Sequence, residues 1–194
     1  MLILKIGIIS DTHDDIANVR RAIKIFNSED VKYVIHAGDY IFPGVVLEFK
    51  KLNAKLIGVF GNNDGERIHL LKNFLEVGAE LKGEIGEIKL DELLFGIYHG
   101  TDKNIKERLV SSQKYDVFIS GHTHKIELSV ARNTTNNTEQ KGNTINSYQR
   151  RESTFVLNPG SAHKKVESES GAFEEGGVII FNTNTKRYKL VKLP

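Results

Sequence analysis

The chain has 194 residues, 39% of them hydrophobic, with 27 Lys and Arg against 25 Asp and Glu and no cysteine. That length supports one well-buried domain rather than two, and a net charge of +2 is no footprint for nucleic acid or an anionic membrane. The lack of cysteine excludes disulfides, thiol nucleophiles and thiolate metal ligands, so any site is built from nitrogen and oxygen donors.

The opening run, Met1-Leu2-Ile3-Leu4-Lys5-Ile6, is apolar but short, with no basic leader and no small-residue cleavage site. It reads as a strand rather than a signal peptide. No apolar run approaches the roughly 20 residues of a membrane-spanning helix, so a cytoplasmic protein with no membrane partner is expected. After a strand at 6–9, Ile16, Val19, Ile23 and Phe26 fall at helical spacing behind a cap at Asp14 or Asp15. A strand at 31–35 follows, then a helix opened by Pro43 with Val46, Phe49 and Leu52 inward. A strand at 56–60 leads to a helix at 67–77 carrying Ile68, Leu71, Phe74 and Leu75. This alternation predicts a parallel sheet with right-handed crossovers.

The second half changes character. Residues 85–90 and 93–98 flank Asp91-Glu92 as a hairpin, and a short helix at 105–110 leads to a strand at 117–119. Residues 126–132 alternate apolar and polar, as a half-exposed strand does. Further strands are expected at 155–157, 178–181 and, as an edge, 188–191. Hairpins that follow βαβ units predict a second sheet packed on the first with helices outside: an α/β fold, a four-layer α-β-β-α sandwich with two mixed sheets. The whole chain, 1–194, is expected to be a single domain. Apolar residues on the later hairpins are either core or the face of a homodimer.

One stretch, 133–153, is nearly devoid of apolar residues and rich in Asn, Thr, Gln and Arg. It reads as a polar tip inserted into a hairpin, with Arg150 and Arg151 more simply solvated than placed on an anionic substrate. Its Asn-x-Thr triplets lack the secretory context that would make them glycosylation sites. Residues 161–176 read as a second surface loop.

Five short segments each follow an apolar strand: Asp11-Thr12-His13, Gly38-Asp39, Gly61-Asn62-Asn63-Asp64, His99-Gly100 and Gly121-His122-Thr123-His124. Ligands of open α/β sheets bind at the carboxyl ends of the strands. Asp11, His13, Asp39, Asn62, His99, His122 and His124 are thereby delivered to one edge, and they are side chains that bind transition metals, in a number sufficient for two ions. His122 and His124, two residues apart, cannot alternate inward on a regular strand while both face one point unless a loop presents them. Other polar residues have plainer readings: His36 and His69 as core histidines, His163 as a loop histidine, Asp14 and Asp15 as helix caps, and Gly38, Gly61 and Gly121 as turn residues. A dinucleotide-binding Rossmann unit is excluded, because Ser10-Asp11-Thr12-His13 lacks the glycine pattern and places an acid where a pyrophosphate would lie.

Taken together, these segments resemble those of the calcineurin-like metallophosphoesterases, and more narrowly the compact prokaryotic phosphodiesterases among them. The resemblance runs from about Ile6 to the C-terminus and includes Asn158-Pro159-Gly160-Ser161; only the 133–153 insertion has no counterpart. It implies that Asp11, His13, Asp39 and His124 hold one metal ion and that Asp39, Asn62, His99 and His122 hold a second, with Asp39 bridging. It also implies in-line attack of a metal-bridging hydroxide on a phosphodiester, with Asp39, Asn62 and Asn63 at the reaction centre. Nitrogen and oxygen ligation suits Mn²⁺ first and admits Ni²⁺, Fe²⁺, Co²⁺ or Zn²⁺. The substrate is then a small phosphodiester or a nucleotide. A second reading of the same resemblance is a non-catalytic metal-binding scaffold for protein partners.

Two positions depart from the family pattern. Asn63 stands where many members carry a histidine that protonates the leaving oxygen, and an amide cannot act as an acid. Thr101 follows His99-Gly100 where the compact subgroup often has another histidine.

Overall fold

The computed structural model describes residues 4–132, 151–163 and 176–193. In chain order the elements are β1 (Lys5–Ile9), α1 (Ile16–Ser28), β2 (Tyr33–His36), a 3-10 helix (Pro43–Lys51), β3 (Lys55–Gly58), α2 (Arg67–Glu76) and β4 (Glu80–Leu81). They continue with β5 (Ile85–Leu90), β6 (Leu93–Tyr98), α3 (Lys103–Ser111), β7 (Val117–Ile119), β8 (Ile126–Arg132), β9 (Ser153–Pro159), β10 (Gly177–Asn182) and β11 (Arg187–Lys192).

Two mixed sheets result. The first has the order β11-β10-β1-β2-β3-β4, with β1 to β4 mutually parallel and β10 and β11 antiparallel. The second has the order β5-β6-β7-β9-β8, parallel from β6 through β7 to β9 and antiparallel at both edges. The period-2 alternation of strands divides the side chains between layers. Ile9, Val34 and Leu56 face outward to Val19, Phe26, Phe49 and Phe74 of the helical layer. Ile6, Ile8, Ile35 and Ile57 face inward to Phe95, Ile97, Ile119 and Leu157 of the second sheet. On the far side of that sheet, Leu109 and Val110 of α3 pack on Tyr98, Tyr115 and Phe118. The architecture is the four-layer α-β-β-α sandwich expected. The hairpin residues Leu90, Leu93, Phe95 and Ile97 take the core role.

Several local expectations are corrected. The segment opened by Pro43 is a 3-10 helix, for which an apolar spacing of three is the natural period; Pro43, Val46 and Phe49 are its buried row. On α2 two apolar stripes interleave, and the one that packs is Leu70 and Phe74. Of the four apolar residues named for this helix only Phe74 is buried; Ile68, Leu71 and Leu75 are 73%, 44% and 68% exposed. Asp15 alone caps α1, accepting from the Asn18 N–H, while Asp14 accepts from Phe42 N at 2.7 Å across the loop. The 133–153 insertion lies outside the described residues up to 150. Beyond residue 150, Arg151 pairs with Asp116 at 2.9 Å and Ser153 begins β9, so these residues belong to the framework and not to a polar tip. The loop expected at 161–176 is described only at its ends, and there it is no surface loop: Ser161 and Ala162 are buried.

Candidate metal centre

All five segments emerge at the carboxyl ends of β1, β2, β3, β6 and β7. What turns their side chains toward one point is the backbone. Asp11, His13, Asp39, His122 and His124 have φ of 53°, 39°, 61°, 68° and 54°, the left-handed region that L-residues adopt at a cost. This is how His122 and His124 both reach the site: neither lies on a strand. Hydrogen bonds between loops hold the conformation, from Asp11 N to Gly38 O (3.0 Å), His13 N to Asp39 O (3.2 Å) and Gly121 N to His99 O (2.8 Å).

Buried side chains beneath the loops complete the framework. The Asp64 carboxylate accepts four backbone N–H bonds, from Asp39 (3.1 Å), Tyr40 (2.7 Å), Ile41 (2.9 Å) and Gly61 (2.7 Å). Asn158 donates to Gly121 O at 2.8 Å and Thr123 Oγ1 at 3.2 Å, fixing the loop that carries both histidines. Ser161 Oγ donates to Asp11 O at 3.0 Å. His36 is fully buried and stacked on Tyr40. Its Nδ1 accepts from Gly38 N at 3.2 Å, so its Nε2 carries the proton and donates to Thr12 Oγ1 at 3.2 Å. Burial pushes the His36 imidazole down to about 3, so it acts as a neutral, directional brace. Gly61 and Gly121 allow the loops to approach: a Cβ would overlap the Asp39 carboxylate at the first and the Ser10 hydroxyl and Asp11 carboxylate at the second.

On this framework the donors converge. Two groups of acids and histidines have ligand atoms within 4.8 Å of one another: Asp11, His13 and His124, and Asp11, Asp39 and His99. His13 Nε2 and His124 Nε2 are 3.1 Å apart, and His124 Nε2 lies 3.4 Å from Asp11 Oδ1. Asp39 Oδ2 lies 3.6 Å from His13 Nε2 and 3.3 Å from His99 Nε2. His122 adjoins them, its ring centroid 5.3 Å from that of His99 and its backbone N–H directed at the Asp11 carboxylate at 3.2 Å. Asn62 Oδ1 faces His122 Nδ1 at 2.8 Å and accepts from Thr101 Oγ1 at 3.3 Å. Asn63 donates from its backbone N–H (2.9 Å) and its Nδ2 (2.8 Å) to the two oxygens of Asp39.

The charges respond to this crowding. Burial acts to raise both carboxyls, but His124 and His13 beside Asp11, and His99 and Asn63 beside Asp39, hold both below the usual carboxylate range. At His99 burial opposes protonation and the two carboxylates overcome it, raising the imidazole. At His122 burial and the nearby His99 act together to lower it. The site therefore favours anionic carboxylates facing a positive centre.

Two residues read otherwise from sequence take part. His163 is no surface histidine: its ring lies 5.9 Å from that of His13 and its N–H reaches Asp11 O at 3.1 Å. His36 supports the loops rather than merely filling the core. His69 lies away from the site, exposed and paired with Glu66. A groove of about 730 Å³ opens beside the donors, from Thr101 and His122 along α3 and β8.

Comparison with known proteins bears on the family and the fold. The family model for the calcineurin-like phosphoesterase superfamily domain matches residues 4–186. Phosphodiesterase MJ0936 of Methanocaldococcus jannaschii is 45% identical over 123 residues, which cover 63% of this chain and 74% of that protein. The solved structure of an archaeal phosphodiesterase superposes with a TM-score of 0.76 at 33% identity, covering 98% of this chain and 100% of that one. Vps29 of Entamoeba histolytica, solved in complex with Zn²⁺, shares the fold at a TM-score of 0.57 and 16% identity, with 98% of each chain covered. The strand-end donors, the paired sheets and a family match over nearly the whole length lead to one conclusion: the chain belongs to the calcineurin-like phosphoesterase superfamily.

Proposed function

We propose that the protein is a metal-dependent phosphodiesterase, hydrolysing its substrate by in-line attack of water at a centre of two divalent ions. The observation that carries this reading is His99 Nε2. His99 Nδ1 donates to the Ala37 carbonyl at 2.7 Å, which fixes the ring and aims Nε2 at the carboxylates of Asp39 and Asp11, 3.3 and 3.8 Å away. That nitrogen is buried and has no hydrogen-bond partner among the described residues. In the metal-free chain that nitrogen faces only the two carboxylates, and a cation held between them would satisfy all three.

The donor set fits two such ions: Asp11, His13, Asp39 and His124 for one, and Asp39, Asn62, His99 and His122 for the other. In this assignment Asp39 is shared, and Asp11 stands within reach of both groups. Superfamily membership implies divalent ions, and nitrogen and oxygen ligands suit Mn²⁺ first, then Ni²⁺, Fe²⁺, Co²⁺ or Zn²⁺. When bound, such ions supply an activated water and polarise the phosphoryl oxygens. The chain's own residues do the rest. Asp64, Asn158 and His36 hold the donor loops in their left-handed turns. Asn63 anchors Asp39 through its amide and has no proton to give a departing alkoxide, so substrates with good leaving groups are favoured. The substrate is a small phosphodiester or a nucleotide, in keeping with the phosphodiesterase relative at 45% identity. A metal-binding scaffold for protein partners would use the same buried nitrogen; the 45% identity to a phosphodiesterase and the match to a solved archaeal phosphodiesterase over 98% of this chain set that alternative behind.

The test is hydrolysis of bis(p-nitrophenyl) phosphate by metal-stripped protein, with Mn²⁺, Ni²⁺, Co²⁺, Zn²⁺ or Mg²⁺ restored singly. Activity is expected to return with a transition metal and to be lost in His122→Ala. Folded, metal-loaded protein with no activity would overturn the reading.

A further inference from the structure

The groove beside the donors has a physical origin. Helix α3 has only nine residues, about 13 Å of length. It covers Tyr98 and Phe118 on the outer face of the second sheet through Leu109 and Val110. Among the described residues nothing covers the outer face of β8 and β9 beyond it, and the resulting groove of about 730 Å³ lies within the size range of organic ligand sites.

Its lining changes in order with distance from the metal donors. Next to His122 and Thr101 lies a charged pair, Lys106 of α3 to Glu127 of β8 at 2.7 Å. Farther along the same strand come Ser129 and then Ala131, with Val156 of β9 beneath and Val110 of α3 as the opposite wall. Strand alternation places Glu127, Ser129 and Ala131 on one face, in register with Asn158, Val156 and Thr154. From Glu127 to Ala131 the strand advances about 13 Å. The sequence of environments is anion site, charged pair able to bind hydroxyls, then a slot walled by Val110, Ala131 and Val156 with the polar groups of Ser111, Gln113 and Arg132 at its rim.

We infer that this groove is the subsite for a nucleoside arm of the phosphodiester, with the sugar over Lys106 and Glu127 and the base between Val110 and the Ala131–Val156 floor. The inference rests on the phosphodiesterase reading above and narrows its substrate class. A carboxylate accepting from sugar hydroxyls is a recurrent solution in nucleotide sites. A long alkyl arm fits less well, because the ion pair lies in its path and would be desolvated without recompense.

The experiment compares kcat/KM for three diesters sharing one leaving group: the methyl, hexyl and thymidine-5′ esters of p-nitrophenyl phosphate. The thymidine ester is expected to exceed the methyl ester by roughly tenfold or more, the scale of filling an apolar pocket, and to exceed the hexyl ester. Ser129→Trp, which fills the groove from an exposed position on an edge strand, should bring the thymidine-to-methyl ratio toward one. Lys106→Gln should lower that ratio too, and it provides a second variant should the first not fold. Equal kcat/KM across the series, a preference for the hexyl ester, or a ratio unmoved by either variant would overturn the assignment while leaving the phosphodiesterase reading intact. Failure of folded, metal-loaded wild type to hydrolyse any of the three would overturn both.

Discussion

At Asn63 a single side chain separates this protein's expected chemistry from that of members with a histidine there. The amide is committed to Asp39 Oδ2 at 2.8 Å and cannot protonate a leaving oxygen, a contribution typically of 10²–10⁴ in rate. Aryl diesters, whose phenolates depart unaided, should turn over far faster than alkyl diesters. Asn63→His should raise kcat on an alkyl diester by roughly tenfold or more and change the aryl rate little; a uniform effect on both would remove Asn63 from the leaving-group side. At this scale the convergence of Asp11, His13, Asp39, His99 and His124 was legible in the sequence, because Asp and His at strand ends carry their chemistry in their identity. Asp64 was not. Its partners are backbone N–H groups 23 to 25 residues away at Asp39, Tyr40 and Ile41, and no side-chain pattern announces such a bond. His163 was misplaced for a similar reason: its proximity to His13 depends on the backbone bond to Asp11.

Among the elements, the strands were easier to read than the segments between them. Short apolar runs marked the strands of both sheets, with alternation only at 126–132, whereas β4, with only two residues, is too short to show either. Helix α2 shows a different limit, since both of its apolar stripes satisfy helical spacing and only tertiary packing selects Leu70 and Phe74. The left-handed turns that aim the donors were likewise invisible, because they fall on Asp and His rather than glycine. The turn at Asp39 is held by Asp64, whose carboxylate accepts from four backbone N–H donors. Asp64→Asn retains one acceptor oxygen but loses the charge and puts an NH₂ against backbone donors. It should weaken metal binding by roughly 10- to 100-fold, as loss of supporting bonds around metal ligands does, read by calorimetric titration of Mn²⁺. Unchanged affinity would show that the turns hold without it.

For the whole molecule, burial of ionisable groups at the site couples folding to pH. His36 has its pKa lowered from 6.5 to about 3 in the folded state. Above pH 6.5 both folded and unfolded chains hold it neutral. Between the two values the unfolded chain binds a proton that the folded chain refuses, so stability falls as pH falls, by up to about 1.4 kcal/mol per pH unit. Asp11 and Asp39, lowered in the fold, add to the loss at more acid pH by the same sign. His99, raised in the fold, has the opposite sign above pH 6.5, so urea denaturation of metal-free protein should show the decline from pH 6.5 to 4, and His36→Gln should flatten it. An identical profile in the variant would place the acid sensitivity elsewhere.

The central claim is that this edge holds two metal ions. The most direct measurement is the metal content of the chain, titrated with Mn²⁺ from the stripped state and followed by elemental analysis and by bis(p-nitrophenyl) phosphate hydrolysis on the same samples. The account predicts two ions per chain, activity that reaches its maximum only at the second, and one retained ion with lost activity in His99→Ala. Full activity at one ion per chain, or an unchanged count of two in His99→Ala, would contradict it.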